Sequence, residues 1–466
     1  MPGWPAYAAL LAWPLVAVVH FRILPRPNAV IWTVLGGYLA LPVAVSYDLP
    51  ILPAMDKSTL PALSALALCL LTTIRTSGTW LPRGTLARGL LAIFLVVPLI
   101  TALQNPSPVD AGGVALPGMT LYDGASLALE HLMLAIPFLL GLRFFASPQT
   151  HRTLVAAMAV GGIMYSLPIL IELRLSPQLH NWVYGFFPHS FAQQIRQGGY
   201  RPVVFLGHGL LVATFVAAAL VAASAMWRSS NGPWRQRWAA AAALLAALLV
   251  LCKSLGALAL GALGAVVVAL GGRRLARLAM LGVVAMTIAY PALRTSNVLP
   301  VSAIVTTVEQ VRPERAQSLR FRLDNETILL ARAQARPAFG WGGWNRNRVY
   351  DSRARDISVT DGRWIIVLGQ FGWVGYLAEF GLLCLGLLLL CGPHGRSLPF
   401  ATGAVGVLLA MNLLDMLPNA SMSPLTWLMA GAMLGAAEAR YRARAPTSDT
   451  PSSRGEMIMR APATLR

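Results

Sequence analysis

The stretch WIIVLGQFGWVGYLAEFGLLCLGLLLLC, Trp364–Cys391, decides the class of fold, because it carries a single charged residue, Glu379, among 28. A helix rises about 1.5 Å per residue, so about 20 such residues cross the ~30 Å hydrocarbon core of a bilayer. Similar apolar blocks recur near 5–20, 29–47, 58–75, 87–104, 124–145, 151–172, 204–227, 236–252, 254–271 and 274–293, and again at 397–417 and 423–441. Of 466 residues, 56% are hydrophobic and only 12% are charged, about half the charge of an average soluble domain. The pattern predicts an all-α, polytopic membrane helix bundle of 12–13 transmembrane helices with two charged loops, the longer one partly helical. It divides into residues 1–293, a loop at 294–363, helices at 364–441 and a polar, disordered tail at 442–466.

The net charge is +19, carried by 35 arginines and two lysines. Nucleic acid is one reason for such a balance; a membrane protein offers another, since loops retained in the cytoplasm are rich in Lys and Arg. Alternate loops contain Arg22 and Arg26; Arg75, Arg83 and Arg88; Arg143 and Arg152; Arg228, Arg235 and Arg237; Arg273, Arg274 and Arg277; and Arg396, with no Asp or Glu among them. The opposite loops hold Asp48, Asp56, Lys57, Asp110 and Asp123. The N-terminus is therefore expected outside and the C-terminus in the cytoplasm, with no nucleic-acid partner. The first block lacks a basic leader and a cleavage site and is expected to be a retained helix. Cys69, Cys252, Cys384 and Cys391 lie in or beside apolar blocks at no metal-ligand spacing and are expected to be packing residues.

Two outer loops depart from this charge rule. One is 173–203. The other, 294–363, holds twelve arginines against seven acids. A long loop can cross the bilayer despite its charge, but tolerance does not explain the surplus. Guanidinium forks bind phosphate oxygens in pairs, and indole faces suit the apolar face of a sugar. Asp324 or Asn325 is expected to cap a helix that ends near Arg336, before Pro337. Arg332 and Arg336 then share a face, Arg320 and Arg322 precede the cap, and the glycine-rich turn AFGWGGWNRN follows with Trp341, Trp344 and Asn345. These residues, with Arg196 and Arg201 of the shorter loop and Lys253 at an outer helix end, form the expected binding set for a phosphorylated glycan or glycolipid. Taken singly, each arginine could instead pair with Asp324, Glu326, Asp351, Asp356 or Asp361, and Lys253 could simply snorkel. His208 is a candidate general base. Glu130 and Asp415, ionisable groups inside spans, are expected to pair with loop arginines. Glu379, roughly 15 Å below the helix end at the rise of a straight helix, is expected to be structural.

The order of an Arg-rich outer loop, a helix ending before proline, a Gly- and aromatic-rich turn, a short polar motif and the helix GQFGWVGYLAEFGLL resembles the C-terminal signature of the O-antigen ligase and polymerase superfamily of bacterial envelopes. The likeness is clearest over 318–391 and extends to the RPVVFLGHG entry to a span. It implies a metal-independent, cofactor-free glycosyltransferase of the bacterial inner membrane, using a glycan on undecaprenyl diphosphate. Arg201, Arg320, Arg322 and Arg336 are the nearest equivalents of the family arginines that hold the diphosphate. Where the family often has His-Asn this chain has TDGRW, so Asp361 would take the base role. That departure favours a polymerase-like member of an exopolysaccharide or O-antigen pathway, working beside a flippase and a chain-length regulator.

The residues agree with such chemistry on their own terms. The chain has no Walker loop or dinucleotide-binding turn. Matched charge makes a lipid diphosphate a good leaving group, and single displacement inverts the anomeric centre. The rival readings are a ligase that moves finished glycan onto a lipid A core or another acceptor, a transporter of lipid-linked oligosaccharide, and a non-enzymatic envelope scaffold. A transporter usually binds near the midplane between repeated halves, and no internal repeat is evident here.

Overall fold

Away from water, backbone N–H and C=O groups must be satisfied within their own segment, so each apolar block folds as a helix. The computed structural model describes residues 2–48, 53–72, 78–196, 198–296, 298–311, 313–392 and 398–442. Arg75, Arg396 and the tail from 443 onward lie outside the described residues. The helices are α1 (Trp4–Ile23), α2 (Arg26–Ala40), α3 (Leu60–Leu71), α4 (Thr85–Leu103), α5 (Leu121–Phe144), α6 (Pro148–Leu175), α7 (Leu179–Tyr184), α8 (Gly209–Ser229), α9 (Gly232–Leu251), α10 (Leu255–Ala269), α11 (Arg273–Thr295), α12 (Val301–Val311), α13 (Pro313–Gln334), α14 (Arg363–Cys391), α15 (Phe400–Asp415) and α16 (Pro424–Arg442). Thirteen of them overlie the thirteen apolar blocks. Seven, namely α1, α4, α5, α6, α8, α11 and α14, are long and apolar enough to cross a membrane, and α3, α10 and α15 are shorter apolar helices. Sheet among the described residues is limited to two hairpins of two-residue strands, Val109–Asp110 with Ala115–Leu116 and Ile195–Arg196 with Gly199–Tyr200.

Starts are marked by local chemistry. Thr120 and Ser147 close capping boxes with Asp123 and Thr150. Proline opens α1, α2, α3, α6 and α9, where its missing N–H costs nothing. The Ala-rich α8 is buried along most of its length and packs on α6, α9, α10 and α15, while α16 packs on α5 and α14. Small residues bring the latter backbones together: a Cβ on Gly141 would lie 2.1 Å from the Leu428 carbonyl oxygen, and one on Gly431 1.9 Å from that of Phe138. Leu11, Leu15, Val250, Leu263, Leu270 and Leu278 of the outer helices are exposed, as a lipid-facing surface requires.

Arginines of the acid-free loops gather at one end of the bundle. Arg228 donates to the carbonyls of Val268, Ala269 and Gly271 at the end of α10, and Arg277 to those of Cys391 and Gly392 at the end of α14, matching cations to helix C-termini. The two charged loops meet at the other end.

Two expectations are overturned there. The helix before Pro337 does not begin at Asp324 or Asn325: α13 starts at Pro313, so Arg320 and Arg322 lie within it. Asn325 sits mid-helix, donating to the Phe321 carbonyl and accepting from the Val359 amide at 2.7 Å. A proline at the first position is a sufficient start; the cap-like side chain serves a tertiary contact instead. The block 364–391 is not one straight helix. It breaks at Gly372 (φ 62°, ψ −165°), a region essentially restricted to glycine. The turn Pro337–Gly342 fills the break. Trp373 and Val374 amides donate to the carbonyls of Pro337 and Ala338, while Trp341 and Gly342 amides donate to those of Gly369 and Gln370. The fold-back brings Arg363 onto Glu379 in a two-pronged ion pair at 2.8 and 2.9 Å. In a straight helix those residues, sixteen apart, would be separated by about 24 Å.

Candidate functional site

The site begins with the turn that leads into α8. Val204 has φ 48° and Gly207 φ 83°, and a β-branched residue in the left-handed region is strained. Neighbours hold it there. The buried Glu172 carboxylate accepts from the amides of Val203 (2.6 Å) and Val204 (2.8 Å). The Tyr165 hydroxyl accepts from the Phe205 amide, and Lys57 Nζ donates to the Phe205 carbonyl at 2.7 Å. The turn thereby fixes Arg201 at its start and His208 at its end. Arg201 is only 4% exposed; its amide donates to the Gln194 carbonyl, and the Gln194 side-chain oxygen accepts from the Gly209 amide. His208 caps α8, Nδ1 accepting from the Leu210 amide at 3.0 Å. That bond leaves the proton of the neutral ring on Nε2.

Three arginines bear on His208 from two loops. Burial, then Arg201, His189, Arg196 and Arg322, push its pKa down to about 4 from an ordinary 6.5. The His189 ring stands edge-on to it with centroids 5.0 Å apart. His208 is therefore neutral at neutral pH and presents an N–H donor rather than a free basic nitrogen. Lys253, in the left-handed conformation (φ 53°), donates to the Arg196 carbonyl at 2.9 Å and so braces the hairpin that carries Arg196.

Asp361 approaches from the other loop. Arg322 Nε lies 3.6 Å from Asp361 Oδ2, and Arg322 Nη1 donates to Asn419 Oδ1 at 3.2 Å. Asn419 belongs to the short connection between α15 and α16, whose Met416 and Asn419 carbonyls also accept from the Arg363 amide. Gly362 is pressed against it, since a Cβ there would meet the Leu417 carbonyl at 2.3 Å. Asp361 is thus fixed on both sides. Burial raises its pKa and the Arg322 charge pulls it back in part. Next to Asp415 and its partners Ser421 and Thr214 lies a small, half-open cleft lined by Tyr38, Leu211, Thr214, Phe215, Ser421 and Met429 among others.

The remaining expected residues stand elsewhere. Arg332 and Arg336 stack on the Trp341 ring, their guanidinium carbons 3.4 and 4.5 Å from its centroid. The Trp341 indole N–H donates to the Arg332 carbonyl, Arg332 to the Arg346 carbonyl, and Arg336 to the Gln104 carbonyl and to Asn105 Oδ1. This group braces the turn that fills the α14 break. Trp344 and Asn345, both at positive φ, are exposed, and Trp344 is the tryptophan of the turn with an open face. Arg320 pairs with Glu309 on the exposed surface. Glu130 is exposed, while Asp415 is buried and reaches Arg322 through Asn419.

Sequence reasoning passed over Asn419, Gln194, Tyr165 and Glu172. Glu172 had a signal, an acid inside the apolar run LPILIELRL; the others are ordinary polar residues at helix ends or within a span. No protein-family model matches the chain, and no curated protein matches it.

Proposed function

We propose that the protein is an integral-membrane glycosyltransferase of the bacterial inner membrane, with thirteen spans, a periplasmic N-terminus and a cytoplasmic C-terminus. It joins undecaprenyl-diphosphate-linked glycan units at the periplasmic face. The observation that carries this is the grouping of Arg196, Arg201 and Arg322 about His208, with Asp361 3.6 Å from Arg322. The arginines match the charge of a lipid diphosphate, and the Nε2–H of His208 adds a neutral donor. Asp361 takes the proton of the acceptor hydroxyl as its oxygen attacks the anomeric carbon. The bond from that carbon to the diphosphate oxygen breaks, its electron pair leaves with the diphosphate, and the guanidinium groups stabilise the growing charge. One displacement inverts the anomeric centre. The resemblance of residues 318–391 to the O-antigen ligase and polymerase superfamily supports the same chemistry, and TDGRW in place of its His-Asn favours chain extension.

The test is reconstitution of the full chain in proteoliposomes with a lipid-linked repeat unit and a chelator. Polymer should lengthen with time, and Arg322→Ala, inserted normally, should lower turnover by about 100-fold, the scale of losing one preorganised charge donor. Transfer of finished glycan to a lipid acceptor without lengthening would instead mark a ligase. Repeat units moving between leaflets without a new bond would mark a transporter.

A further inference from the structure

We infer that Asp415 is a positioning residue for Arg322, acting through the side-chain amide of Asn419. This rests on the diphosphate-binding reading of the site. Arg322 is long and only part-buried, and an unrestrained arginine loses rotamer freedom when it meets a phosphate. Asn419 Oδ1 removes part of that freedom in advance by accepting from Arg322 Nη1 at 3.2 Å. An amide, however, has two faces: turned over, it would set Nδ2 against a guanidinium that can only donate.

Asp415 decides which face is shown. Its Oδ1 accepts from Asn419 Nδ2 at 2.9 Å. An acceptor oxygen in that place draws the NH2 end of the amide and leaves the carbonyl for Arg322. The other carboxylate oxygen is held by Ser421 Oγ at 2.5 Å and Thr214 Oγ1 at 3.5 Å. Asp415 is 2% exposed and acts on Arg322 through this relay. Thr214 lies on α8, the helix that His208 caps. The relay therefore ties the Arg322 of one loop to the same helix that carries the His208 end of the other.

The test measures binding of glycan-free undecaprenyl diphosphate to the purified full-length protein in detergent, with the thermal midpoint as a check on folding. Asp415→Asn and Asn419→Ala should each weaken binding by about tenfold, the scale of one hydrogen bond to a charged group. Asp415→Asn combined with Arg322→Ala should bind no more weakly than Arg322→Ala alone, because the relay has then lost its end point. Asn419→Ala, in a connecting loop, carries the same comparison should the buried Asp415→Asn misfold. Neutral or strictly additive effects of both variants, beside a clear loss in Arg322→Ala, overturn the relay and leave diphosphate binding standing. Wild-type binding by Arg322→Ala overturns the diphosphate reading itself.

Discussion

The 3.6 Å between Arg322 Nε and Asp361 Oδ2 is long for a hydrogen bond but close enough for each charge to set the other's behaviour. Burial raises the Asp361 pKa and Arg322 lowers it. Activity that needs the ionised carboxylate therefore falls as pH drops, with its acid limb above the ordinary aspartate range. Replacing Arg322 by Gln removes the lowering charge, so the limb in a turnover-versus-pH profile should move to higher pH; no movement would detach the two residues. His208 makes a different prediction. Asn is as good a helix cap, so His208→Asn should leave the thermal midpoint near that of the wild type while lowering turnover. His208→Ala should also cost about 1 kcal/mol of stability. The candidate site was legible where ionisable residues stood out against an apolar chain: Arg196, Arg201, Arg322, His208 and Asp361 all carry such contrast. Their partners Asn419 and Gln194 do not, because an uncharged amide at a helix end has no compositional signature and its role exists only after distant segments meet.

At the scale of elements, the thirteen apolar blocks are legible because length and composition alone separate them from the loops. The break in α14 is not, because the apolar run continues unbroken across Gly372 and only the inserted turn reveals it. A Cβ at Gly372 would lie 2.4 Å from the Ala338 carbonyl, on a backbone conformation that other residues rarely adopt. Gly372→Ala should therefore lower stability by about 1–3 kcal/mol or more and abolish the Arg363–Glu379 pair. Gly381→Ala, whose Cβ would meet only the flexible end of Leu90, is the control, and thermal unfolding in detergent reads both. The start of α13 was misread because the cap-like pair Asp324–Asn325 invites a boundary where the backbone simply continues; the proline at its start carried the better signal.

At the scale of the whole molecule, the proposed orientation is testable with the chain's own chemistry. Cys69, Cys252, Cys384 and Cys391 are buried, which keeps background labelling low. A cysteine at exposed Ser190 should react with an impermeant maleimide from the periplasmic side, and one at exposed Asn231 only after permeabilisation; the reverse would invert the topology and end the periplasmic proposal. The helix α13 of the longer loop is tied to the end of α11 by the buried contact of Arg294 with Glu326 at 3.1 Å, where removing one partner costs about 3–5 kcal/mol. Arg346 is 1% exposed and gives its guanidinium to the carbonyls of Trp341, Pro117, Asn105 and Ser107. Many extracellular loops are knotted in this way around calcium, which also gathers backbone carbonyls. Here the cation is tethered to the chain, so sequestering agents and shifts in ionic supply leave the knot tied.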